Sequence, residues 1–172
     1  MNKQWLDGMW DHMREKYGIY LRVLEAIPAD RFHAHPIPQM RTPTELVVHT
    51  SGSIVRDTAR GVASGAIESP EGGEEAAVAR LETKQDVLDF AKECWKQADE
   101  AIAGVGDEEL AAEVANSWGI PLNGTFAVLV INEEFLHHRG QLYVYARACG
   151  AEPPFMWSFE ENPEGFRPTS AR

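Results

Sequence analysis

The chain has little of what usually gives a function away. It contains two cysteines, Cys94 and Cys149, in 172 residues. They form no CxxC pair, so no disulfide framework is expected. Both read as small buried hydrophobes on helices rather than as nucleophiles. Positive charge is scarce, with 16 Lys and Arg against 27 Asp and Glu and a net charge of -11. Nucleic-acid binding and docking on anionic lipid both need a basic face, so neither nucleic acid nor a membrane is expected as a partner. No apolar run is long enough to span a bilayer. The opening MNKQWLDGMWDHM lacks the apolar core of a secretory signal and is interrupted by Asp7 and Asp11. These absences point to a soluble, cytoplasmic protein. Alternating strand patterns, internal repeats and low-complexity tracts are also missing.

What is present is helical periodicity. Apolar residues make up 44% of the chain, enough for one domain over residues 1–172 with a single core. Leu6, Met9, Met13, Tyr17, Tyr20, Leu24 and Ile27 recur at spacings of three and four, and Pro28 stops that helix. After the proline-rich connector RFHAHPIPQMR, Thr42-Pro43-Thr44-Glu45 forms a capping box, predicting a second helix to about Ser64. Residues 65–82 are rich in Gly and Glu and read as a mobile surface loop. A third helix is expected from Thr83 to about Val105, with Val87, Phe90 or Ala91, Cys94, Ala98 and Ala101 inward. A fourth runs from Asn123–Thr125 to Cys149-Gly150. The expected fold is all-α, a four-helix bundle with irregular connections. An irregular tail, 151–172, is expected to pack Phe155, Met156, Trp157 and Phe159 on the bundle or on a partner subunit.

Residues 132–147, NEEFLHHRGQLYVYAR, put charged groups into what otherwise reads as a buried helix. Charged side chains are rarely buried without a partner. At about 100° per residue, Ala127, Val130, Glu134, His138, Gln141 and Tyr145 share one narrow stripe. Ile131 and His137 lie at its edges, while Arg139, read as a structural ion-pair former, and Tyr143 point away. Glu134 and His138, four apart, can meet at one point, the spacing that HExxH sites use for chelation from one helix. A plain Glu–His hydrogen bond is the commoner alternative for a lone histidine. His49 on the second helix is a third candidate, because the small Ser51, Gly52 and Ser53 beside it leave room for a metal, a water or a substrate. Glu45, four before His49, competes as a ligand, but its capping role engages it elsewhere. His12, His33 and His35 are not expected as ligands. Two His and one carboxylate suit a catalytic zinc site or a non-haem iron site, and the set alone does not select the metal. A di-iron site fails, because the residues three before His12 and His49 are Met9 and Leu46.

The run HHRGQLYVYARACGAEPP resembles the fourth-helix signature of the DinB/YfiT-like metalloenzyme group, and RTPTELVVHTSGS resembles its second-helix segment. The order and spacing of all four helices match over nearly the whole chain. The resemblance implies a divalent metal held by three residues, usually all His, one from the second helix and two from the fourth. Here those positions are His49, Glu134 and His138, so a carboxylate stands where the group usually has an imidazole. Such a ligand either keeps the site with a harder donor or marks a degenerate one. Zinc is the first choice of metal, with nickel, iron and manganese as alternatives. His137, Gln141 and Tyr145 would surround the ligands. The resemblance further implies an enzyme that activates a low-molecular-weight thiol at the metal for transfer to a small-molecule substrate. A metal-dependent hydrolase is chemically close, and a non-catalytic metal-binding or stress-response module is the alternative. Family habit and the aromatic tail together imply a homodimer. The rim of the pocket is expected from the 106–122 segment, including Trp118, or from the tail.

Overall fold

The computed structural model describes residues 1–168, so the last four positions of the expected tail lie outside the described residues. The fold is all-α. Among the described residues the only β features are two isolated bridges, Ala66 with Ala115 and Glu113 with Asn123. Helix α1 spans Lys3–Ala26, and its start is capped by Asn2, whose side chain accepts from the Trp5 N–H. The predicted stripe is buried, with Leu6, Met13, Tyr17, Tyr20 and Leu24 all at 0% exposure.

Helix α2, Pro43–Val47, begins with the predicted Thr42–Glu45 capping box. It runs without a break into a π-helical stretch, Val48–Asp57, and then into α3, Thr58–Ser64, which ends at the left-handed Gly65. The predicted ends hold, but the middle is wider than an α-helix. π-helical turns recur at functional sites, and two features accommodate this one. Gly52 lets Phe90 close in, since a Cβ there would stand 3.2 Å from the Phe90 ring. Ser51 is drawn into the core, its Oγ 2.8 Å from the Tyr17 hydroxyl and 3.0 Å from that of Tyr20.

The Tyr17 hydroxyl also donates to the Ala91 carbonyl at 2.8 Å, so one phenol joins α1, the π-helical stretch and the third long helix. Losing it leaves buried polar atoms short of a partner. Tyr17→Phe is therefore expected to cost about 1–2 kcal/mol, read as a lower urea midpoint with an unchanged slope.

The 65–82 segment is not the loose loop predicted. Its first residues are pinned by Ile67 N–H to Ala115 O at 2.8 Å and Ala115 N–H to Gly65 O at 2.9 Å. Helix α4, Gly73–Val78, then folds against the π-helical stretch. Helix α5, Lys84–Ala103, carries the predicted Thr83–Asp86 capping box, and α6, Asp107–Ala111, is one short turn in the next connection. Helix α7, Gly124–Ala148, completes the bundle, capped by Asn123.

The core is aromatic at its centre. Tyr17 lies 5.0 Å from Tyr20, 4.7 Å from Trp95 and 5.5 Å from Phe135, centroid to centroid. On α7 the residues turned inward are Ala127, Val128, Ile131, Phe135, Leu142 and Ala146, all at 0% exposure. The predicted inward stripe was centred too far towards Val130 and Glu134, which are only half-buried. The apolar side chains set the helix rotation, and the polar stripe falls at the margin of the core. In the tail, Phe159 is buried and Asn162 donates to the Glu15 carbonyl at 2.8 Å. Phe155, Met156 and Trp157, expected to pack, are 70%, 40% and 55% exposed on the single chain.

Candidate metal centre

His49 comes from the π-helical stretch and His138 from α7. Packing of these two segments sets their rings edge to face, with centroids 4.8 Å apart and planes at 85°. His138 is buried, at 6% exposure.

Each ring is held by a partner at Nδ1. His49 Nδ1 lies 2.6 Å from Glu74 Oε1, and the Ser53 hydroxyl donates to the same oxygen at 2.8 Å. The wide π turn puts His49 and Ser53 on one side, where α4 delivers Glu74. Burial pushes the Glu74 carboxyl up, but hydrogen bonds from His49 and Ser53 and the charges of His49 and Arg41 outweigh it, leaving the pKa below its ordinary value. An ionised carboxylate only accepts, so His49 Nδ1 carries the proton. In the neutral ring the Nε2 lone pair is then free.

His138 follows the same logic with a neutral partner. Its Nδ1 lies 2.9 Å from Gln141 Oε1, and the other end of that amide, Nε2, is 3.1 Å from His137 Nε2. In this orientation the amide oxygen accepts from His138 Nδ1–H. Burial pushes the His138 pKa down, and the charges of His49 and His137 add to that against the opposing Gln141 bond and Glu134. Burial thus favours the neutral ring, and with the proton on Nδ1 that ring presents a lone pair on Nε2.

That Nε2 atom is buried and has no hydrogen-bond partner among the described residues. Glu134 Oε2 stands 3.5 Å away, within ion-pair range but without hydrogen-bond geometry. In that neutral tautomer the Nε2 lone pair and a carboxylate oxygen face each other. Both are acceptors, and a cation is what such a pair would bind. The Glu134 side chain is 46% exposed, not buried as the sequence suggested, because α7 turns Phe135 inward beside it. Glu134 forms no ion pair with His49, and among the described residues no three His, Cys, Asp or Glu side chains are gathered as a ready metal-holding group.

The remaining candidates fall into place around this point. His137 is exposed and reaches His138 through Gln141, with the two imidazole centroids 4.9 Å apart. Tyr145 is buried and lines a cavity of about 160 Å³ beside His138, together with Met40, Arg41, Leu46 and Gln141. A larger cavity of about 520 Å³ shares Met40 and Arg41 with it and is walled by Glu45, Glu74 and Val78. Thus the connector before α2 and helix α4 form the rim, whereas Trp118 and the described part of the tail do not line these two cavities. Glu45 is engaged in its cap, accepting from the Thr42 N–H at 2.7 Å. His33 and His35 bond to the carbonyls of Glu82 and Met40. Glu74 escaped sequence reasoning, since one Glu in a Gly- and Glu-rich segment looks solvated. Its signal was only the Gly72-Gly73 turn before a possible short helix.

The sequence matches the family model described as the DinB superfamily over residues 12–142. Among solved structures it is similar to a DinB-like protein, YjoA, from Bacillus subtilis, with a TM-score of 0.64 and 24% identity over 83% of this chain and 92% of that one. No curated protein matches it significantly.

Proposed function

The chain belongs to the DinB superfamily, and from that premise we propose that it is a divalent-metal enzyme in which His49, His138 and Glu134 hold the ion. The observation that carries this reading is the buried His138 Nε2, unpartnered, facing Glu134 and edge-on to His49. Zinc is the first metal to test, as the donors are two imidazoles and one carboxylate; iron, manganese and nickel accept the same set. A divalent ion there supplies a nucleophile at neutral pH by lowering the pKa of a bound thiol or water.

The chain's own residues do the rest. Glu74 and Gln141 fix the two imidazole rings through Nδ1. The cavity beside His138 receives a small molecule, with Met40, Leu46 and Tyr145 as its apolar wall and Arg41 at its mouth. Transfer of a low-molecular-weight thiol is the favoured reaction. The sulfur forms a new bond to an electrophilic carbon, the leaving group departs with its bonding pair, and the thiol proton passes to solvent. The exposed Phe155, Met156 and Trp157 support a homodimer as part of this reading.

The test is metal analysis of the purified protein, followed by a screen of thiols against electrophiles and of esters. About one metal per chain and thiol-dependent turnover are expected. Ester hydrolysis instead of thiol transfer makes it a hydrolase. A bound metal without turnover makes it a non-catalytic metal-binding module. Metal-free protein whose melting temperature ignores added zinc and nickel overturns the site. Glu74→Ala removes the carboxylate that orients His49 without touching the proposed ligands. Losing such a partner typically weakens metal affinity by about 10–100-fold. Competition with a chromophoric chelator measures this, and an unchanged affinity would remove Glu74 from the site.

A further inference from the structure

Helix α4 has six residues, and none of them is buried. Ala77 and Val78 pack against the core but are only partly covered. A helix this short is not stable alone, and one with so little buried apolar surface belongs to the least stable part of a fold. The chain before it can pivot. Residues 68–72 are all exposed, and Gly72 and Gly73 both have left-handed backbones, with φ of 76° and 60°. Glycine has no Cβ to clash there, so such a pair readily absorbs a large change in φ and ψ. Either side of this stretch is fixed. Ile67 N–H donates to the Ala115 carbonyl at 2.8 Å, and Leu81 is buried.

Between those two pins, Glu74 is the one α4 side chain that hydrogen-bonds to another element among the described residues. Its Oε1 accepts from His49 Nδ1 at 2.6 Å and from the Ser53 hydroxyl at 2.8 Å, and its Oε2 lies 3.8 Å from Arg41 Nη2. What this tether holds in place is a wall. Glu74, Glu75 and Val78 form one side of the cavity of about 520 Å³, and Gln39, Met40 and Arg41 of the connector form the other. The connector side is tied down by its own bonds. The Met40 carbonyl accepts from His35 Nδ1 at 2.7 Å, and Met40 N–H donates to the Ile37 carbonyl at 3.2 Å. Met40 and Arg41 also line the cavity beside His138. Movement of α4 away from the connector therefore opens a route to the histidine pair.

We propose that α4 is a lid over this cavity, latched by Glu74 to His49 and Ser53, and that a metal ion on His49 tightens the latch. The coupling rests on the metal-binding reading, whereas the latch itself does not. With a cation on Nε2, the His49 ring is a stronger Nδ1–H donor, and the accepting carboxylate makes Nε2 a better ligand in return. These are two faces of one coupling free energy, so the factor by which zinc favours closure is the factor by which closure favours zinc.

Hydrogen exchange of the full chain reads the lid through the amides of Ala76, Ala79, Arg80 and Leu81, which bond to carbonyls within residues 72–78. In chelator, these amides should exchange by local opening, faster than those of α5. Glu74→Ala should speed them about tenfold, the loss of a charge-assisted hydrogen bond, and Ser53→Ala by less. The Ile67 amide should not change in either variant. Equal α4 exchange in the parent and Glu74→Ala overturns the latch, and so does α4 exchange as slow as that of α5. Saturating zinc, its binding confirmed by metal analysis, should slow the parent's α4 amides at least about fivefold and leave Glu74→Ala unchanged. Bound zinc that does not alter the parent's exchange overturns the coupling. Zinc that fails to bind overturns the metal reading and the coupling with it, and the chelator measurements alone then decide the latch.

Discussion

His138→Ala is expected to leave the purified protein without metal, at less than about a tenth of the parent's content, and His49→Ala is expected to do the same. Each removes one of only two imidazoles at the site, and the half-exposed Glu134 cannot hold a divalent ion with a single remaining ring. The loss should also appear in stability. A ligand that binds only the folded state adds about 2.7 kcal/mol when present at a hundred times its Kd. The parent's melting temperature should therefore climb with added zinc while that of His138→Ala stays flat. The metal-free comparison separates this from simple damage to the fold. In chelator, His138→Ala loses the Nδ1–Gln141 bond and a buried ring together with the unpartnered Nε2, so it should melt a few degrees below the parent but still unfold cooperatively. A collapse of His138→Ala in chelator would make His138 a packing residue and reassign the unpartnered nitrogen.

Phe135→Ala should have the largest effect on folding, about 3–5 kcal/mol, with a melting temperature lower by roughly 10 °C. Phe135 has 0% exposure and stacks on Tyr17 at 5.5 Å, with Tyr20 also at 5.5 Å. Removing the ring opens a cavity where three helical segments meet, and the Tyr17–Ser51–Tyr20 network cannot move to fill it without breaking hydrogen bonds. Val130→Ala is the contrast. The sequence pattern placed Val130 inward, but it is half-buried, so its truncation should cost less than about 1 kcal/mol. Urea denaturation of both variants measures the difference. Similar values for the two would mean that the rotation of α7 is not the one described.

Much of this molecule was legible one residue at a time. Thr42 with Glu45 and Thr83 with Asp86 announce their helix starts because side chains three residues apart satisfy the first free N–H groups, whatever the rest of the chain does. Pro28 and Gly150 mark ends for equally local reasons. The stripe of α1 was readable because its apolar residues are large and the helix has one buried face. Helix α7 misled because it is apolar on several sides. Its polar residues looked like the inward stripe, whereas Ile131 and Phe135 won the core and left Glu134 at the edge.

The sequence by itself determined the all-α class and the four long helical segments, since these follow from local capping and helical periodicity; that His49 comes near His138 was implied only by the family resemblance. Only the tertiary structure decided that the middle of the second helix widens into a π turn. It also decided that Glu74 comes from a supposed loop to hold His49, and that Glu134 stays at the edge of the core. Those outcomes depend on contacts between segments far apart in the chain, and no periodicity records which of several polar side chains a neighbouring helix will reach.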